Sequence, residues 1–211
     1  MKKRWRLILV PALASAILLR LSFPKPSFYP LAFFALVPFF TILMRLERPG
    51  DGLWSGLIFG WTFHYSNIFW LNTLAAYNPF IYVGIFLMGI YLGLYGGLFG
   101  WAAVLLNKKS PRYSFILFPS LWVAVEYLRN MGQLSFPWSY LSATQAHNLP
   151  LIQICDITGV WGVSFIVALV NATLADWGIS LKRRQPGREM ILASTITIIL
   201  LAGRSSMAFF A

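Results

Sequence analysis

From Gly52 to Asn107 the chain contains no Asp, Glu, Lys or Arg. A water-soluble domain carries about 25% charged residues and could not hold so long an uncharged run in solution. A bilayer can, because its hydrocarbon core of roughly 30 Å is crossed by about 20 apolar residues wound as a helix. The whole chain agrees, at 58% hydrophobic and 11% charged residues. The expected fold class is an all-α integral membrane protein.

Windows of apolar residues predict about seven spans, at roughly 7–22, 28–46, 53–74, 80–106, 113–128, 151–181 and 189–209. Residues 1–211 then form a single polytopic membrane domain, with one long outer loop at 129–150. The sixth stretch exceeds the length of one straight span, so it is expected to tilt or to begin in an interfacial segment. Pairs of glycines four apart, such as Gly56/Gly60, Gly89/Gly93, Gly93/Gly97 and Gly96/Gly100, predict close helix packing.

The net charge of +11 does not point to nucleic acid. Its basic residues fall in short clusters between apolar spans: Lys2 to Arg6, Arg45 and Arg48, Lys108 to Arg112, and Lys182 to Arg188. Thirteen of the seventeen Lys and Arg residues alternate onto one side; Arg20, Lys25, Arg129 and Arg204 fall near the other. Cytoplasmic loops accumulate Lys and Arg, so the N-terminus is expected inside. The basic N-terminus and the small residues Ala12 to Ala16 also fit a cleaved leader. Arg20 and the Pro-rich turn after it favour a short first span instead.

Ionisable groups inside a membrane are costly, which makes each a candidate for function. His64, Glu126, Arg129 and Asp156 qualify. Glu126 and Arg129, three apart, share a helix face. They fit either a structural ion pair or a polar anchor beside a lipid or substrate site. His64 is expected to be neutral and bonded to a neighbouring helix. In the outer loop, Phe136-Pro137-Trp138 is followed by Tyr140, Gln145 and His147. Pro137 breaks a helix, and Trp138 and Tyr140 suit the head-group level. The loop is read as an aromatic belt or as the lining of a lipid entrance. Cys155, the single cysteine, lies between Ile154 and Asp156, without the base or cationic neighbour that a nucleophilic thiol needs. No metal cluster or cofactor motif is present in the sequence.

Taken in order, several segments resemble the N-terminal membrane domain of apolipoprotein N-acyltransferase. They include Leu21-Ser22-Phe23-Pro24 with Tyr29-Pro30-Leu31, Gly56 to Gly60 followed by Trp70-Leu71, and Tyr91-Leu92-Gly93. Further along come Leu121-Trp122, Glu126-Tyr127-Leu128-Arg129, Phe136-Pro137-Trp138 with Gln145, and Gly159-Val160-Trp161-Gly162 with Asn171. The resemblance implies a bacterial inner (cytoplasmic) membrane enzyme. Such an enzyme moves an acyl chain from a phospholipid to the amine of the diacylglyceryl-cysteine of a lipoprotein. It works ping-pong, through a thioester on a Glu–Lys–Cys triad in a periplasmic nitrilase-like domain that follows the seventh helix. Glu126, Arg129, Phe136, Pro137, Trp138 and Gln145 are then the residues expected to shape a lipid or substrate site.

The triad has no counterpart in this chain, and Cys155 does not match the family nucleophile. The chain is therefore expected to be a truncated form, inactive alone, that needs the nitrilase-like domain in cis or trans. The alternatives are the membrane subunit of a split enzyme and a non-catalytic lipid-binding membrane protein; a transporter is the least supported.

Overall fold

A computed structural model of the chain describes residues 2–183. The seventh expected span, 189–209, lies outside the described residues. Within them the regular structure is entirely helical. The α-helices are α1 (Lys2–Ser22), α2 (Ala32–Ala35), α3 (Val37–Leu43), α4 (Pro49–Ile68), α5 (Phe80–Lys109), α6 (Ser114–Arg129), α7 (Leu149–Ile152) and α8 (Cys155–Arg183). Turns of 3₁₀ helix connect them, at Tyr29–Leu31, Phe69–Ala76, Pro111–Tyr113 and Leu141–Gln145. Arg4–Ser22, Phe80–Lys109 and Cys155–Leu181 are long and apolar enough to cross a membrane; Tyr29–Leu43 is a shorter apolar stretch.

α1, α4 and α6 run in one direction, and α3, α5 and α8 run in the other. At one end of the bundle, Arg4 at the start of α1 donates to Asp51 at the start of α4, at 2.5–3.2 Å. At the same end, Asn107 near the end of α5 donates to the Met44 carbonyl past α3, at 3.1 Å. Ile179 of α8 lines a surface hollow there with Arg45 and Lys108. At the other end, Arg20 near the end of α1 donates to the Ser66 carbonyl near the end of α4, at 3.2 Å. The basic groups Arg4, Arg45 and Lys108 thus gather at one end.

The tightest pairing joins α4 to α5, and glycine is the reason. Gly52, Gly56 and Gly60 face Gly100, Gly96 and Gly93 in antiparallel register. A Cβ on Gly56 would run into the Gly96 carbonyl, and one on Gly100 into the Gly52 carbonyl. Lipid tails are as apolar as leucine, so backbone-level contact of this kind is a main source of helix association in a membrane.

The remaining helices wrap a core of phenylalanine. Phe39 stacks on Phe59 at 4.4 Å between centroids, Phe40 meets Phe118 edge-on at 5.3 Å, and Phe99 meets Trp122 edge-on at 5.2 Å. Such tilted and edge-to-face pairs contribute beyond the area they bury. Outward faces are equally apolar: Val10, Val83, Leu87 and Leu94 are each more than half exposed. That surface suits hydrocarbon rather than water.

Two helices are interrupted. The break between α2 and α3 precedes Pro38, which has no N–H to give the Phe34 carbonyl and crowds it. In α8, Gly159 adopts φ +63°, ψ −169°, a conformation that needs glycine, and the helix kinks there. The over-long sixth apolar stretch is therefore divided: α7 and the first turn of α8 precede the kink, and the buried run of Val163, Val167, Ala172 and Ala175 follows it.

Candidate functional site

The candidate site lies at the end of the bundle opposite the Arg4–Asp51 pair. Here α6 terminates at Arg129 and the chain enters its longest irregular connection. Four long helices each send a polar side chain to that loop. Glu126 of α6 accepts the Leu141 N–H on Oε1 at 2.7 Å, and the Trp122 indole N–H on the same oxygen at 3.0 Å. Arg129 donates to the Ser139 carbonyl at 3.4 Å, and its own carbonyl accepts the Phe136 N–H at 3.1 Å. From α4, Asn67 donates to the Ser139 hydroxyl. From α5, the Tyr91 hydroxyl donates to the Leu134 carbonyl at 3.1 Å. From α8, the Ser164 hydroxyl accepts the Ser142 N–H at 3.0 Å.

Glu126 and Arg129 are both 4% exposed. They do not close on each other as a direct ion pair, as Arg4 and Asp51 do. Each charge is instead met by other groups. Arg129 hydrogen-bonds His64 of α4 at 2.9 Å and lies 5.4 Å from the Tyr140 ring centroid, within cation–π range. A guanidinium only donates, so His64 accepts on Nε2, and its neutral ring carries the proton on Nδ1. Burial pushes the Tyr140 phenol up, with the Arg129 charge opposing, so the ring under the guanidinium stays neutral.

Between these groups and the phenylalanine core lies a cavity of about 30 Å³, lined by Phe59, Phe99, Trp122, His64, Glu126 and Arg129, among others. Three buried atoms of its lining residues have no hydrogen-bond partner: His64 Nδ1, Glu126 Oε2 and Arg129 Nε. Two donors and one carboxylate oxygen on its lining residues suit a water molecule in a space of this size.

The other expected site residues lie around this cluster, outside the cavity lining. Phe136 packs against the small core cluster formed by Ile68, Ile85 and Leu92. It also tilts against Trp138 at 5.3 Å, and Trp138 stacks on Trp70 at 6.0 Å. Trp138 and Trp70 are each about half exposed, which makes an aromatic ledge at the rim. Pro137 sits between the two ledge residues, where a missing N–H costs nothing. Gln145 is fully buried and holds the far end of the loop: it donates to the Tyr29 carbonyl at 3.0 Å and accepts from Asn148 at 3.0 Å. His147 is exposed. Cys155 lies on the N-terminal side of the Gly159 kink.

Sequence reasoning missed Asn67, Ser139 and Ser164 as loop anchors. Ser164 lies two residues past the Gly159-Val160-Trp161-Gly162 segment, but nothing marks a lone serine or asparagine in an apolar run as a partner of a distant loop. Ser139 has φ +64°, unusual for a residue with a Cβ. It is held where the Arg129 and Asn67 side chains converge.

The family profile described as "Apolipoprotein N-acyltransferase N-terminal domain" matches residues 15–173. The chain is 35% identical over 197 residues to the apolipoprotein N-acyltransferase of Geobacter metallireducens, covering 90% of this chain and 37% of that protein. It is 33% identical over 176 residues to apolipoprotein N-acyltransferase 1 of Treponema denticola, covering 80% of this chain and 30% of the relative. It is likewise 33% identical over 174 residues to apolipoprotein N-acyltransferase 2 of Treponema pallidum, at 80% and 30%. The chain thus spans about a third of the length of the relatives it matches.

Proposed function

Because the chain belongs to the apolipoprotein N-acyltransferase family, through the N-terminal domain of that family, we propose that it is the membrane domain of a phospholipid-dependent N-acyltransferase in the bacterial inner membrane. It crosses that membrane about seven times, with its N-terminus in the cytoplasm. Support for this orientation comes from the gathering of basic groups at the end of the bundle where α1 begins. The loop end then faces the periplasm.

The domain's job is to present acyl chains rather than to do the chemistry. A thioester mechanism needs a cysteine thiolate, a base and an oxyanion donor. A nitrilase-like domain, in cis or trans, supplies these. The phospholipid donor and the diacylglyceryl-cysteine of a lipoprotein meet it above the aromatic ledge of Phe136, Trp138 and Trp70. The observation that carries this reading is the way two buried charged side chains are used. Glu126 and Arg129 hold the backbone from Phe136 to Leu141, and so fix the ledge at the rim. Non-helical backbone is tolerated at membrane depth where protein lines it in this manner.

Co-expression of the chain with a nitrilase-like domain, in a bacterial strain depleted of its own enzyme, tests the proposal. N-acylated lipoprotein, read by mass spectrometry, is the expected product. Correct insertion and co-assembly without any N-acylation would favour the non-catalytic lipid-binding alternative.

A further inference from the structure

A groove of about 610 Å³ runs between α1 and α3. Its walls are Leu7, Val10 and Ala14 of α1 with Val37, Pro38, Thr41 and Ile42 of α3, positions that share one face of each helix. Its mouth carries two arginines, Arg6 and Arg45. Both are exposed, and neither meets an acidic or hydrogen-bonding partner among the described residues. From Arg6 to Ala14 the wall is about 12 Å long at the helical rise of ~1.5 Å per residue. One leaflet of a hydrocarbon core is roughly 15 Å deep. The groove therefore has the dimensions of an acyl chain in one leaflet and two cations at the level of its head group.

We propose that this groove binds an anionic phospholipid of the leaflet at the N-terminal end of α1, the cytoplasmic leaflet in the orientation given above. It is a second lipid site, at the opposite end of the bundle from the aromatic ledge. Charge selects the occupant. A zwitterionic lipid brings a compensating cation to a mouth that already holds two. The chain's own 184–211 segment complements it no better, with Arg184, Arg188 and Arg204 against a single acid, Glu189. A phosphate carrying net charge satisfies both guanidiniums, which bind phosphate in a planar, bidentate fashion.

The test is photo-crosslinking of the full chain in phosphatidylcholine vesicles that contain phosphatidylglycerol with a diazirine midway along one acyl chain. The expected result is label on peptides containing Val10 and Ile42, in excess over the same diazirine carried on phosphatidylcholine. Arg6→Gln and Arg45→Gln should each lower that excess about fivefold, the equivalent of one basic residue near an anionic surface. Arg48→Gln removes the same charge at the same end, outside the groove, and should leave the excess within about twofold. Val10→Trp, at an exposed position, should fill the groove and abolish label at Ile42 with both arginines in place. Equal labelling by the two probes, or an Arg48→Gln effect as large as that of Arg45→Gln, overturns the proposal. So does a disulfide between Val10→Cys and Ile196→Cys, which would make the chain's own segment the occupant. The inference rests on α1 and α3 lying in a membrane. A chain that does not float with vesicles defeats both readings, whereas a floating chain labelled equally by both probes defeats only this one.

Discussion

Asn171 of α8 occupies the hydrogen bond that Leu36 would otherwise make to Ala32. Its Oδ1 accepts the Leu36 N–H at 2.8 Å, and its Nδ2 donates to the Ala32 carbonyl at 2.8 Å and to the Val167 carbonyl of its own helix at 2.8 Å. The side chain is fully buried. Pro38 opens the helix, and one amide closes the polar gap while it joins α8 to the α2–α3 break. The Ser15 hydroxyl does the same for the Phe39 N–H at 3.0 Å.

Asn171→Leu is therefore expected to destabilise the fold by about 2 kcal/mol, because it strands a donor and an acceptor away from water. Asn171→Asp should cost at least as much, since a carboxylate has no N–H for the two carbonyls. Unfolding in detergent mixtures, followed by circular dichroism, measures both. A Leu variant as stable as the parent would show that the amide insertion contributes nothing.

Gly96→Ala and Gly84→Ala should separate cleanly, although both lie in α5. A Cβ at Gly96 meets the Gly56 carbonyl and lies 2.9 Å from the Gly60 Cα, whereas one at Gly84 meets nothing within 4 Å. The first should lose about 1–3 kcal/mol through overpacking of backbone against backbone. The second should be neutral or gain up to about 1 kcal/mol from helix propensity. The same unfolding assay checks them, and equal effects would mean that α4 and α5 are not in contact along this register.

Glu126→Gln keeps a carbonyl oxygen for the Leu141 and Trp122 N–H groups, so the loop should stay anchored. Glu126→Ala removes both bonds and strands the Leu141 and Trp122 N–H groups, and a loss of about 3 kcal/mol is expected. Protease accessibility of the 130–140 segment distinguishes the two. Protection unchanged in the alanine variant would end the claim that Glu126 holds the ledge.

Tyr140→Phe should be neutral or mildly stabilising. The Tyr140 hydroxyl is buried without a hydrogen-bond partner, while its ring faces Arg129. Removing the hydroxyl removes a desolvation cost of about 1 kcal/mol and keeps the ring. Tyr140→Ala loses the ring and leaves a cavity, at a cost of about 3 kcal/mol. Thermal unfolding in detergent reads both, and a Phe variant as damaged as the Ala variant would indicate a partner for the hydroxyl.

Cysteine tagging maps the topology in cells. With Cys155→Ser as background, a cysteine at Gly132 should react with a membrane-impermeant maleimide added outside the inner membrane, and one at Ser110 should not. The reverse pattern would invert the proposed orientation and carry the ledge to the cytoplasmic side.

The sequence by itself determined the solvent and the periodic features. An uncharged run from Gly52 to Asn107 points to hydrocarbon-facing helices, and glycines four apart predict close helix packing because small residues let two backbones approach. The order of motifs, from Leu21-Ser22-Phe23-Pro24 to Asn171, was enough to suggest the family. Tertiary structure decided which distant groups meet. Glu126 and Arg129 share a helix face and invite pairing, yet Glu126 turns to Leu141 and Arg129 to His64, because a loop backbone and a second helix offered more direct hydrogen bonds. The pairing of Asn171 with Leu36 spans most of the chain. No spacing rule records it, since a buried amide is placed by the packing of α8 on a broken helix and not by its neighbours in sequence.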